Sequence, residues 1–250
     1  MTELLGLSGS EIALLAVICF GAGVVRGFSG FALSALVMAS AALILPPVQL
    51  IPICWWLELA ASVLMARGGW QEADRKIVWG LVIMSAIGTP IGLALTTNID
   101  AETSKLVALC VIIALAALLL ARIRIPGLES RAGLYVAGFA AGIVTGLASV
   151  GGMMIALYVL SSDTPARKMR AALVLFLFLS SATSLVWQFW FDVMNMQAVW
   201  RGLAFSVPAI AGVWAGMQLF TPRFEKYYRP FCLTLLCGLS AFGLLRLSLS

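Results

Sequence analysis

The chain has 250 residues, 62% hydrophobic and 11% charged, with sixteen Lys and Arg against eleven Asp and Glu and a mean hydropathy of +1.05. So little charge cannot solvate a globular surface of this size, which excludes a soluble protein with one large core and leaves an all-α polytopic membrane protein in a lipid bilayer. No histidine is present, which excludes Ser-His-Asp catalysis and histidine proton relays, and the five cysteines lie in apolar runs without metal-ligand spacing, so no cofactor or metal is called for.

Apolar blocks run at 11–45, 47–66, 77–97, 104–121, 132–160, 169–191, 199–219 and 229–248. The N-terminal MTELLGLSGSE carries two acids and no base before the first block, which argues against a cleaved signal peptide. Six blocks have ordinary spanning length. Blocks 11–45 and 132–160 are too long for one crossing, since 35 helical residues would reach about 50 Å against about 30 Å of hydrocarbon. Glycines interrupt both, at GAGVVRGFSGFAL (21–33) and AGIVTGLASVGGMM (141–154). Each therefore predicts two half-length helices meeting at a non-helical point, at 26–31 and at 145–152.

The basic residues set the topology. Twelve of the sixteen fall in four connections, around Arg67 to Lys76, Arg122 to Arg131, Arg167 to Arg170 and Arg223 to Arg229. The connections at 46–49, 98–105 and 192–201 hold at most one each. The positive-inside rule makes the four rich connections cytoplasmic and both termini periplasmic. This spread of charge also explains the pI of about 9.2 without a nucleic-acid partner. Each long block then begins and ends on one side, so each half of the chain, 1–125 and 126–250, is a glycine-broken helix pair plus three transmembrane helices. An odd number of crossings separates the halves, which makes them inverted-topology repeats. Gly23-Val-Val-Arg26-Gly27 lines up with Gly142-Ile-Val-Thr145-Gly146, and Gly88-x-x-x-Gly92 with Gly212-x-x-x-Gly216, at an offset of about 120.

Backbone that leaves the helix inside a membrane must be buried in protein or line a wet cavity. In inverted-repeat transporters such paired breaks hold the substrate near the midplane, where helix N-termini favour an anion. Arg26 cannot be neutralised and grips oxyanions in a bidentate fork, so it reads as an anion ligand; an ion pair with Glu58 and snorkelling to the surface are its alternatives. Gly27, Ser29, Gly30, Ser149, Gly151 and Gly152 belong to the breaks and join it as substrate-binding candidates, with Trp55 shaping the pocket. Glu58 is the one acid well inside a spanning block and the candidate for coupling, with service as counter-ion to Arg26 as its alternative. Thr145, the uncharged counterpart of Arg26, and Ser180, Thr183 and Gln188 are pore-lining candidates, although such hydroxyls more often satisfy helix backbone.

The two breaks and the later Gly-x-x-x-Gly segments, including PAIAGVWAG (208–216), resemble the sulfite exporter TauE/SafE family, also called the 4-toluene sulfonate uptake permeases, over essentially the whole chain. The second break keeps Gly151-Gly152 but lacks the proline that often follows in that family. The resemblance implies a carrier in the bacterial inner membrane for a small sulfur-containing anion such as sulfite, sulfoacetate or another organosulfonate. Alternating access between the repeats is the leading mechanism and export the leading direction, with a proton or sodium ion as coupling partner. The alternatives are an anion channel, an importer of other small organic anions and, in another class, a non-transporting assembly subunit. An intramembrane protease lacks its equipment here, as Ser29 and Ser149 have no base nearby in sequence. Small-residue helix faces can also produce a homodimer, although no residue marks one.

Overall fold

The computed structural model describes residues 2–65, 74–128, 130–161, 166–218, 234 and 237–245. These form a short helix α1 (Thr2–Leu5), then α2 (Gly9–Ser29), α3 (Leu33–Ala41), α4 (Pro47–Met65), α5 (Arg75–Asn98), α6 (Ala101–Leu120), α7 (Arg131–Ala148), α8 (Gly151–Ser161), α9 (Ala166–Trp190) and α10 (Met196–Gln218). Residues 237–245 are helical as well. Seven of the described helices are long and apolar enough to cross a membrane, namely α2, α4, α5, α6, α7, α9 and α10. Large apolar side chains such as Val17, Ile83, Val186, Val207 and Trp214 point outward, as lipid rather than water requires. The expected blocks at 47–66, 77–97, 104–121, 169–191 and 199–219 correspond to α4, α5, α6, α9 and α10. Arg67, Arg167 to Arg170 and Arg223 to Arg229, with most of block 229–248, fall outside what is described of the chain or of its side chains.

The two long blocks are interrupted, but not into equal halves. Helix α2 runs 21 residues and α7 runs 18, about 32 and 27 Å, so each first member is itself of spanning length. The second members, α3 with 9 residues and α8 with 11, are the short ones. The interruptions sit late, at Gly30 to Ala32 and at Ser149 to Val150, where Gly30, Ala32 and Ser149 take left-handed backbone. Arg26 and Gly27 therefore stay inside a helix. Helix α2 continues past Gly23 and Gly27 because a hydrogen-bonded ladder tolerates glycine, whereas a left-handed residue ends it.

Those helical glycines let helices touch backbone to backbone. A Cβ at Gly23 would stand 2.3 Å from Ala209 O, one at Gly27 2.2 Å from Val213 O, and ones at Gly212 and Gly216 2.1 Å from Phe20 O and Val24 O. The contact joins α2 to α10. Helices α7 and α5 meet the same way, with Gly142 facing Ser85 O, Gly146 facing Leu93 N and Thr89 O, and Gly88 and Gly92 facing Phe139 O and Ile143 O. Under the offset of about 120 found in the sequence, α2 against α10 becomes α7 against α5. One contact is made twice, each time between a broken helix of one half and a glycine-striped helix of the other.

Hydroxyl and carboxylate caps start these helices. Ser8 forms a reciprocal capping box with Glu11 on α2, Ser130 caps α7 through Gly133 N, and Asp100 caps α6 through Thr103 N, each satisfying backbone donors that the helix leaves open.

Candidate functional site

The first interruption is a tight, fully partnered turn. Ser29 Oγ lies 2.8 Å from both Val25 O and Phe31 O, which share its one hydrogen, and accepts from Phe31 N at 3.3 Å, while the Gly30 amide donates to Arg26 O at 2.9 Å. Arg26, one turn before the end of α2, folds back so that Nη1 donates to Gly30 O, and Nη2 donates to Ser62 Oγ on α4 at 3.2 Å. A cation at this place suits the negative end of the α2 dipole. The guanidinium is completely buried, at 0% exposure, so it does not snorkel to the surface.

Its counter-charge comes from α4. Glu58 is 8% exposed and brings Oε2 to 3.2 Å from Arg26 Nε. The two atoms attract as charges, but neither has an aligned hydrogen-bond partner. The other carboxylate oxygen, Oε1, accepts from Ser34 Oγ at 2.9 Å and from Ser34 N at 3.3 Å. Ser34 is the second residue of α3, so Glu58 sits on the open amides of a helix N-terminus as well as beside a guanidinium. Both are anion-binding devices. Ser34 and Ser62 escaped sequence reasoning because serines in apolar helices usually bond their own backbone; what could have marked Ser34 is its place just after a break.

The second interruption is organised without charge. Thr145 Oγ1 donates to Ala141 O at 2.6 Å, the Ser149 amide donates to Thr145 O at 2.8 Å, and a Cβ on Gly151 would strike Thr145 Oγ1 at 2.1 Å. Gly152 rests on Leu177, whose carbons would lie 3.2 Å from an added Cβ. From α5, Thr96 Oγ1 donates across the helix boundary to Gly146 O at 3.0 Å. A threonine hydroxyl thus takes over a carbonyl that α7 leaves open at its end.

The remaining candidates divide by what they touch. Gly27 is a packing glycine against α10. Trp55 donates from Nε1 to Ser181 O on α9 at 2.8 Å and stands edge-on to Trp56 with ring centres 5.0 Å apart; it ties α4 to α9. Ser180 Oγ and Thr183 Oγ1 donate to carbonyls of their own helix, Leu177 O and Ser180 O. Gln188 Nε2 donates to Ser184 Oγ at 3.1 Å, and its Oε1 is buried without a partner. Arg26, Ser29, Gly30 and Glu58 converge on one place; Thr145, Ser149, Gly151 and Gly152 converge on another; Trp55, Ser180, Thr183 and Gln188 lie on α4 and α9.

Among the described residues, seven helices of spanning length, two of which end at a break, and a buried charge pair define a polytopic α-helical membrane protein with charge inside its helix bundle. The match to a family model is more specific: residues 15–243 fit Sulfite exporter TauE/SafE. The chain belongs to that family of membrane transporters. No curated protein and no solved structure matches it significantly.

Proposed function

We propose that the protein is a secondary transporter that moves a sulfur-containing anion, such as sulfite, sulfoacetate or another organosulfonate, across the bacterial inner membrane, with export as its direction and Arg26 as the anion's principal ligand. The supporting observation is that Glu58 occupies two anion-binding devices at once, the Arg26 guanidinium and the N-terminus of α3. A carboxylate and a sulfonate present oxygens of the same charge sign and similar spacing. A bound sulfonate would therefore compete with ionised Glu58 for the same donors. A neutral side chain at position 58 would remove that competition, so the charge of Glu58 and anion binding are linked. Linkage of this kind is reciprocal: a ligand that favours protonated Glu58 is itself favoured by acid.

We infer alternating access between the halves 1–125 and 126–250 as the mechanism; its support is that the α2–α10 contact recurs as α7–α5, which gives two similar backbone-packed pairs, each built from both halves, that can move against each other. The uncharged second break then acts as a hydroxyl-lined counterpart rather than a second charged site.

The test is counterflow of labelled sulfite, sulfoacetate and taurine in proteoliposomes, with Glu58→Gln alongside wild type. Saturable wild-type counterflow that rises with acidity, and a Glu58→Gln rate that no longer responds to pH, are the expected results. Absence of flux for every sulfur anion removes the substrate class. Linear, unsaturable flux replaces the carrier with a channel.

A further inference from the structure

A second polar place lies away from the breaks, at the helix ends opposite those that carry Arg75, Lys76, Arg122 and Arg131. The N-terminal ends of α4, α6 and α10 surround a cavity of about 320 Å³ there, with Pro46, Gln49, Thr96, Ser104, Asn195 and Arg201 in its wall. That volume suits a small ligand. Sequence counting treats Arg201 as the single charge of a poor connection, but it lies within α10 and is only 5% exposed.

The wall is rich in donors whose acceptor partners are already taken. Arg201 donates from Nε to Leu5 O at 2.7 Å, from Nη1 to Gln49 Oε1 at 2.8 Å and from Nη2 to Gly6 O at 3.5 Å. Those bonds use three of the five guanidinium N–H groups and leave one on each terminal nitrogen. Because Gln49 turns its oxygen to Arg201, its amide nitrogen is the free end. Asn195 likewise spends Oδ1 on Ala198 N at 2.9 Å and keeps its NH2 group. Ser104, 4% exposed on the first turns of α6, has a buried Oγ with no hydrogen-bond partner. A buried hydroxyl without a partner is destabilising, and a ligand in this cavity would supply that partner. Asp192 is the one carboxylate in the wall and is exposed, so water screens it more than it screens Arg201.

We propose that this cavity is a second oxyanion site, separate from Arg26, which holds a sulfate- or sulfonate-type group on Arg201, Ser104 and the free amides of Gln49 and Asn195. On the topology read from the basic connections it faces the periplasm, where it would hold an anion before or after passage through the first break. It does not depend on the transport reading, since the two sites share no residue.

Equilibrium dialysis of labelled sulfate against the purified full-length protein tests it. Wild type binds saturably. Ser104→Ala weakens binding about tenfold, the loss of one hydrogen bond to a charged group; Arg201→Lys, which keeps the charge but not the fork, weakens it as much or more; and Asp192→Asn tightens it several-fold. The double variant Arg26→Gln/Glu58→Gln, neutral at the first break, retains the Ser104-sensitive binding. Thermal melting of each variant confirms that the fold persists. No wild-type sulfate binding, wild-type affinity in both Ser104→Ala and Arg201→Lys, or weaker binding in Asp192→Asn overturns the proposal.

Discussion

The two interruptions begin alike and end differently. Each follows a glycine-containing helix of spanning length, each turns through left-handed backbone, and each is followed by a short buried helix. At the first, a guanidinium, a carboxylate and two serines meet without contact with water worth counting, Arg26 being fully buried. At the second, Thr145, Thr96 and Ser149 bond through hydroxyls and backbone, without a charged group. The same backbone device thus occurs twice, while arginine at the first and threonine at the second gives only the first a charge. Backbone geometry explains why the breaks are there; side-chain charge is what sets the first apart from the second.

Removing the charge from the first break is the most severe way to disturb that contrast. Arg26→Ala leaves Glu58 buried and unpaired, and loss of one partner of a buried pair costs about 3–5 kcal/mol. The melting temperature of the purified protein falls sharply, whereas Thr145→Ala, which removes only a hydroxyl bonded to Ala141 O, costs about 1 kcal/mol. Equal losses at the two positions would erase the distinction between the breaks.

The shared scaffold predicts the opposite, an equality. Gly27→Ala and Gly146→Ala each force a Cβ into a facing backbone, at 2.2 Å from Val213 O and 2.4 Å from Leu93 N respectively, and overpacking of this kind costs about 1–3 kcal/mol. Gly21→Ala has nothing within 4 Å and gains helix propensity instead. Thermal melts that rank Gly21→Ala with the other two would contradict the paired backbone contacts.

A smaller effect probes the turns themselves. Ala32 holds φ 73° and Ser149 φ 57°, and left-handed backbone costs a side-chain-bearing residue about 1–2 kcal/mol. Ala32→Gly and Ser149→Gly are expected to raise stability by up to about 1 kcal/mol each; a loss at either would mean that the side chain contributes more than the backbone strain removes.

The smallest effect is a pH dependence of one cap. The hydrogen bonds from Thr103 N and Thr103 Oγ1 hold the Asp100 carboxyl below its ordinary value. A depressed native value means that the cap's stabilisation is present above the unfolded value of about 4 and is lost as pH falls through the lower native one. Asp100→Asn is expected to flatten the acid limb of the melting profile slightly, and Ser130, the hydroxyl cap of α7 with no carboxylate partner, contributes nothing to it. An unchanged limb in Asp100→Asn removes the claim.

Much of this arrangement was legible in the sequence. Hydropathy located α4, α5, α6, α9 and α10 within a few residues, because lipid imposes length and composition on a span. The pairs Gly88/Gly92 and Gly212/Gly216 pointed to close helix packing, since only a residue without Cβ permits it, whereas Gly23, Gly27, Gly142 and Gly146, their partners in those contacts, were aligned with the breaks. The placement of the breaks was not legible: glycine marks a close approach and a turn equally well, so Gly27 looked like Gly30 although one packs against Val213 and the other ends a helix. Arg26 and Glu58 were visible as intramembrane charges. Their meeting, and the Ser34 amide that joins it, depends on α3 folding back beside α4, a tertiary fact without local signal. Arg201 was hidden for the same reason, because its carbonyl partners at Leu5 and Gly6 lie nearly two hundred residues away.

The charge pair at the first break carries the functional account, and the double variant Arg26→Gln/Glu58→Gln addresses it directly, because both charges vanish together and no buried ion is left alone. In sulfite counterflow with proteoliposomes, the account predicts a well-folded protein whose saturable flux is abolished. Wild-type counterflow by the neutral pair would contradict it.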